Sequence, residues 1–224
     1  MSIIAPISPG SGAAFRFGMA DEWHHALGDV PLKRVVFDPL PGTATEYDQI
    51  FRVERQHRFA ELIDGTLVEK PMGSFESMIA AIIAKAILVF LEKHDLGVVT
   101  GESAMMRMAN GRVRMPDAAF TSYDRLPERR PPRDPIWPLS PDLAVEVLSQ
   151  SNTKAEIDQK VQEYFASGTR LVWIVDPDRL IAVVYISSDQ PERVLHVGEA
   201  LDGGDVLPGF SIPLATIFKN LINK

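Results

Sequence analysis

The sequence predicts a single α/β domain built on a mixed central β-sheet flanked by helices. Three observations predict it. Leu143-Ala144-Val145-Glu146-Val147-Leu148 and Leu171-Val172-Trp173-Ile174-Val175 are apolar at nearly every position, as in strands buried on both faces. Asp64-Gly65 and Asn110-Gly111 are tight-turn pairs set between extended stretches. Residues 74–94 and 154–167 repeat their apolar positions near the helical period and lie between strands. Hairpin-linked strands together with strands joined across a helix make a mixed sheet.

The elements follow in order. Residues 1–45 are rich in Pro, Gly, Ser and Ala and keep no sustained period, so they read as an irregular arm that packs loosely or against a partner. A short helix fits near residues 20–27, and the adjacent His24-His25 reads as an ordinary surface pair, since neighbours diverge on a helix. The folded domain is expected over 46–224. It starts with a helix over 47–57, then a hairpin over 58–70 around Asp64-Gly65, then a break at Pro71, Met72 and Gly73. Ser74 is the expected N-cap of a long, mostly buried helix with Phe75, Met78, Ile79, Ile82, Ile83, Ala86, Ile87 and Phe90 on its apolar side. Strands follow over 98–103 and 104–108, and the Asn110-Gly111 turn returns the chain through Val113 to Asp117 and Phe120. Residues 123–141 are a long loop heavy in Pro and Arg. The buried strand 143–148, a helix over 154–167 closed by Gly168, and a strand pair at 171–177 and 181–186 come next. An edge strand at 194–197 and a terminal helix over 214–221 complete the domain.

Composition narrows the function. With no cysteine, the chain has no disulfide, thiolate nucleophile or cysteine zinc site. The first residues lack the basic and apolar regions of a signal peptide, and the longest apolar helical stretch, Met78 to Leu91, contains Lys85 and falls short of the roughly 20 residues a membrane span needs. A cytoplasmic protein without a membrane segment is the expectation. A net charge of −7 argues against holding nucleic acid by overall charge. Locally, Arg107, Arg112, Arg114, Arg125, Arg129, Arg130 and Arg133 share a section whose acids are Asp117, Asp124 and Glu128. That section is either a solvated surface or a phosphate-contacting rim beside Asp117.

Glu146 is the residue that most needs an explanation. An ionised carboxylate inside an apolar strand must be paired, hydrogen-bonded or bound to a cation. If strands 113–120 and 142–149 are neighbours, Asp117 faces it across the ladder, and two acids that close call for a cation between them. Mg²⁺ suits one or two carboxylates, several waters and phosphate oxygens. The alternative is a structural pairing of Glu146 with a buried Arg or Lys. On the following helix Glu156, Lys160 and Tyr164 share a face, which would direct Lys160 at the two acids to hold water or steady phosphoryl charge. Glu61, in a largely apolar stretch before the hairpin turn, can supply another acid, whereas Glu76 reads as a helix N-terminal dipole partner.

Phe59-Ala60-Glu61-Leu62-Ile63-Asp64-Gly65, Pro116-Asp117, Val145-Glu146-Val147-Leu148-Ser149, Glu156…Lys160…Tyr164 and Trp173-Ile174-Val175-Asp176-Pro177 occur in that order. This set resembles the Uma2 family (DUF820), a branch of the PD-(D/E)XK nuclease superfamily, over about residues 47–218. The resemblance implies a restriction-endonuclease-like core and a Mg²⁺- or Mn²⁺-dependent endonuclease acting on nucleic acid, with DNA the expected substrate. It implies Asp117, Glu146 and the Val147 carbonyl as metal ligands and Lys160 and Glu61 as further catalytic residues; from the basic section, Arg112, Arg114, Arg129 and Arg130 are the expected nucleic-acid contacts. Leu148 stands where the superfamily has its motif lysine, and Lys160 resembles a migrated substitute. The competing expectation is a nuclease-fold module, catalytically inactive, that binds a protein or nucleic acid. A homodimer is compatible with the sequence and not specified by it.

Overall fold

In the computed structural model, residues 20–71 and 73–222 are described. The first part of the predicted arm, residues 1–19, and Met72 of the predicted break lie outside them. The helices are α1 (Ala20–Ala26), α2 (Glu46–Gln56), α3 (Ser74–Leu91), α4 (Lys154–Ala166), α5 (Leu214–Ile217) and α6 (Lys219–Ile222). The strands are β1 (Ala60–Ile63), β2 (Thr66–Glu69), β3 (Gly97–Gly101), β4 (Met105–Arg107), β5 (Val113–Arg114), β6 (Ala118–Ser122), β7 (Ile136–Trp137), β8 (Leu143–Val147), β9 (Leu171–Asp176), β10 (Ile181–Tyr185), β11 (Arg193–His196), β12 (Ala200–Asp202) and β13 (Ser211–Pro213). The expected α/β class with mixed sheets and flanking helices is what the chain forms.

The strands divide between sheets. One has the order β2-β1-β5-β4-β7, a second the order β11-β10-β9-β8-β6-β3, and β12 pairs with β13 apart from both. In the second sheet β8 and β9 are parallel and their outer neighbours antiparallel. The sequence suggested one continuous strand over 113–120, but the chain breaks at Met115-Pro116-Asp117 and passes from one sheet to the other. Pro116 has no N–H to give a ladder, so the crossing falls where pairing is already interrupted. Asp117 is thereby set at the junction of the two sheets.

Local chemistry explains the neighbouring elements. Thr45 and Asp48 form a reciprocal capping box at the start of α2. The β1–β2 hairpin turns through Asp64 at φ 48° and Gly65 at φ 73°, the pair of positive angles that a tight hairpin demands. Gly73, not Ser74, is the N-cap residue of α3, and Ser74 is its first helical residue. Thr153 caps α4 by accepting a hydrogen bond from Glu156 N. The long loop after β6 is less irregular than expected, since Ile136 and Trp137 pair in parallel with Met105 and Met106 of β4. β12 and β13 are too short to announce themselves in the sequence.

Each face of the six-stranded sheet has its own core. On one side α3 and the C-terminal segment pack over Phe120, Leu143, Val145 and Trp173. On the other, Val161 and Tyr164 of α4 meet Ala119, Ala144, Val172 and Ile174, with Met106 of the first sheet. The part of the arm within the described residues does not pack loosely. Leu27, Val30 and Val35 join a buried cluster with Ile63 and Val68.

The expectation that α3 is mostly buried is corrected. Only Ile79, Ala80, Ile83 and Ile87, one stripe at helical spacing, are buried, while Phe75, Leu88 and Val89 face outward. Its composition is apolar all round, and by length and composition alone it would pass for a membrane span. One face nonetheless lies on β3, β6 and β8. Ile83→Ala should cost about 2–5 kcal/mol of stability, whereas Leu88→Ala should stay within about 0.5 kcal/mol. Urea unfolding followed by circular dichroism measures both, and equal losses would contradict this placement.

Candidate functional site

The β6–β8 register pairs Ala118 with Val145. Carried one residue further, it sets Asp117 opposite Glu146. Asp117 N donates to Val145 O at 2.9 Å, and Val147 N donates to the Asp117 carboxylate at 2.6 Å. Strand parity turns both acids toward α4, because their neighbours Ala119 and Ala144 belong to the core beneath that helix. The two acids expected to face each other do so.

Lys160 reaches them from α4. Its ammonium lies 3.0 Å from Glu146 Oε2 and 3.0 Å from Glu61 Oε1, with 3% of the side chain exposed. Tyr164, one turn on, donates its hydroxyl to Glu146 Oε1 at 2.6 Å. Glu61 is held from its other side by Arg114 at 2.8 Å and by Met115 N at 3.1 Å. Glu156, the third residue on this helix face, is bound in a fork by Arg34 at 2.9 and 2.7 Å rather than by Lys160. The sequence therefore pointed correctly to the direction of this face.

Burial and charge act against each other here. Burial pushes the Glu61 carboxyl up, but Lys160 and Arg114 outweigh it and hold Glu61 well below the ordinary carboxylate range. Burial raises Glu146, the charges of Asp117 and Glu61 add to it, and Lys160 offsets only part, so Glu146 stays above its usual value. For Lys160, burial works downward and is overcome by Glu146 and Glu61, which keep the ammonium charged. A carboxylate left above its usual value beside a lysine is one that a further cation would stabilise.

The donor chemistry fits a hard divalent ion. Asp117, Glu146 and the Val147 carbonyl are oxygen donors, the kind Mg²⁺ takes alongside water. Among the described residues no three His, Cys, Asp or Glu side chains gather into a ready-made cage. Both Glu146 oxygens already have protein partners, and Asp117 Oδ1 lies 2.7 Å from Lys70 Nζ. Such an ion would be held mainly by the two facing acids and water.

The four arginines expected to contact nucleic acid fall into two pairs. Arg114 is turned inward, 1% exposed, and bonds Glu61 and Glu163. Arg112 pairs with Asp64 and Glu163. Buried acids on neighbouring elements claim both guanidiniums before any phosphate can. Arg129 pairs with Asp124 and stands over the Tyr123 ring, so Arg129 and Arg130 lie beyond the Ser122 end of β6. Asp117 is at the opposite end, roughly 16 Å away at about 3.3 Å per residue. These arginines do not make a rim beside Asp117.

Sequence reasoning missed Lys70, Arg34 and Glu163. Lys70 was legible. Glu61 pairs with Val68, and Lys70 N bonds Phe59 O, so hairpin alternation puts Lys70 on the Glu61 face. Arg34 and Glu163 meet partners far away in the chain, which no local pattern signals. Glu76 folds back over Gly73, where a Cβ would stand 1.6 Å from its carboxylate oxygen. With Pro71, Leu148, Ser149 and Ser151 it lines an open cavity of about 420 Å³ next to the end of β8.

The sign of the pH dependence follows from these groups. Glu61, Glu156 and Glu163 all have lowered folded-state values: burial opposes this, and Lys160 with Arg114, Arg34, and Arg114 respectively outweigh it. The unfolded chain therefore takes up protons first as pH falls through about 4.3. Stability from these acids is present above that pH and is lost below it. Glu146, raised, has the opposite sign and softens the loss. Urea midpoints should fall between pH 6 and pH 3, with a shallower slope in Glu163→Gln. Removing Glu163 should also cost about 3–5 kcal/mol near neutrality by leaving buried Arg114 short of a partner.

Comparisons with known proteins bear on this geometry. The profile of the family Uma2, described as "Putative restriction endonuclease", matches residues 44–215. A crystal structure described as a putative nuclease belonging to DUF820 from Anabaena variabilis superposes with a TM-score of 0.66 at 18% identity, covering 77% of this chain and 96% of that one. No curated protein matches the sequence. At that identity the structural likeness speaks for the fold, and the profile spans most of the chain. The chain belongs to the Uma2 family.

Proposed function

We propose that this protein is a divalent-metal-dependent endonuclease that hydrolyses phosphodiester bonds of nucleic acid, DNA in the first instance. The observation that carries it is the Lys160 ammonium, 3.0 Å from both Glu61 and Glu146, beneath an Asp117 that faces Glu146 across adjoining strands. Membership of a family described as "Putative restriction endonuclease" supports the same reading. A neighbour described as a nuclease agrees with it.

Asp117 and Glu146 would hold Mg²⁺ or Mn²⁺, with the Val147 carbonyl as a further donor. Such an ion supplies an activated water and neutralises charge on the phosphate. Lys160 lies against Glu146, favours its ionised form and steadies the negative charge of the centre. Tyr164 fixes the Glu146 oxygen on the other side, so the carboxylate has little rotational freedom. Glu61 positions Lys160 and is itself positioned by Arg114. The cavity beside Leu148 and Ser149 gives a phosphodiester access to the end of β8.

A second reading draws on Leu148 and on the buried state of Lys160. These favour a module that keeps the fold and binds without cutting. Incubating the protein with supercoiled plasmid, linear DNA and RNA in Mg²⁺ or Mn²⁺ separates the two. We expect metal-dependent nicking of DNA, reduced at least about 10²-fold in Asp117→Ala and Glu146→Gln. Calorimetry should show Mn²⁺ binding that Glu146→Gln removes. No cleavage of any of these and no Glu146-dependent Mn²⁺ binding would overturn the nuclease.

A further inference from the structure

Two lysines serve the facing acids, and they are not equivalent. Lys160 is bracketed by Glu61 and Glu146 at 3.0 Å each. Carried on α4, it is committed on two sides. Lys70 Nζ lies 2.7 Å from a single oxygen, Asp117 Oδ1, with 5% of its side chain exposed. Beyond that ion pair the Lys70 ammonium makes no hydrogen bond of ordinary geometry. An ammonium has three donors, and burying them unused is costly. Asp117, at 11% exposure, is more open than Glu61 or Glu146. The residue after Lys70, Pro71, lines the cavity at the end of β8, and so does Leu148.

We propose that Lys70 is a catalytic residue of this centre: its ammonium occupies Asp117 as a resident cation, yields that carboxylate to the divalent ion, and turns its free donors to a non-bridging oxygen of the phosphate under attack. This rests on the nuclease reading above. Lys70 has two donors to spare where Lys160 has one, and its flexible four-carbon stem stands next in the chain to Pro71 of the cavity wall. Lys160 then remains the internal counter-charge and does not need to leave Glu146. The ion and Lys70 compete for one carboxylate, so the assignment predicts an effect on metal affinity apart from any effect on rate.

Mn²⁺ titration calorimetry on the full chain tests it, comparing wild type with Lys70→Met, Lys70→Arg and Glu146→Gln. Lys70→Met should bind Mn²⁺ at least about fivefold more tightly, because its competitor is gone, while its cleavage rate falls by about 10²–10³. Lys70→Arg, keeping the charge, should retain wild-type Mn²⁺ affinity and recover part of the rate. In wild type, adding Mg²⁺ to protein carrying ¹⁵N-labelled lysine side chains should shift one ammonium signal, which Lys70→Arg deletes. That measurement holds even if Lys70→Met does not fold. A Glu146-dependent Mn²⁺ site whose affinity Lys70→Met leaves unchanged or weakens overturns the Lys70 assignment alone. A Lys70 signal indifferent to Mg²⁺ does the same. Absence of any Glu146-dependent site overturns the nuclease reading and this one with it.

Discussion

The structure depends on one buried lysine shared by two acids. Glu61 comes from the five-stranded sheet, Glu146 from the six-stranded sheet, and Lys160 from the helix between their chemistry, each nearly sealed from water. None of the three could be charged there alone, since isolated charges in such surroundings are expensive. Together Lys160 and Arg114 offset the two negative charges, and Tyr164 and Met115 N take up remaining oxygens. The interaction ties the two sheets to α4 at one point. It also fixes where Asp117 sits, because Pro116 makes the chain cross between sheets beside it.

Around this centre the charges are arranged in alternation. Arg112 and Arg114 flank Glu163, Arg114 leads to Glu61, and Lys160 leads on to Glu146. Such an array is a poor source of net stability, since well-packed apolar groups of similar volume would often do as well. It is a good way to hold carboxylates at fixed positions. Rigid acids are what a hydrolytic centre needs, because a reacting phosphate tolerates little misplacement. The same array takes up part of the basic section read from the sequence. Its two innermost arginines are consumed by acids.

Much of this was legible from local patterns. Buried strands, hairpin turns, the two long helices and the facing of Asp117 and Glu146 all follow from alternation and period. So does the common face of Glu156, Lys160 and Tyr164. The limits are equally specific. The break at Pro116 was read through as one strand, because Val113, Met115 and Phe120 carry an apolar pattern across it. The outward side of α3 is as apolar as its inward side, so composition overstated its burial. Arg34, Glu163 and the packing of residues 27–35 depend on partners set by tertiary structure, which a one-dimensional pattern does not contain.

Arg34 has a further consequence. Besides Glu156 it donates to the Glu69 carbonyl at 2.8 Å and to the Ser151 carbonyl at 3.2 Å, so one guanidinium fastens the segment leading to Lys70, the loop after β8 and the start of α4. Its partner Glu156 is 122 residues away in the chain. Contacts of such separation form late, once the intervening chain has been closed into a loop. During synthesis, the ribosome must release most of this polypeptide before the lock can close, and a product truncated before Glu156 lacks both the latch and Lys160.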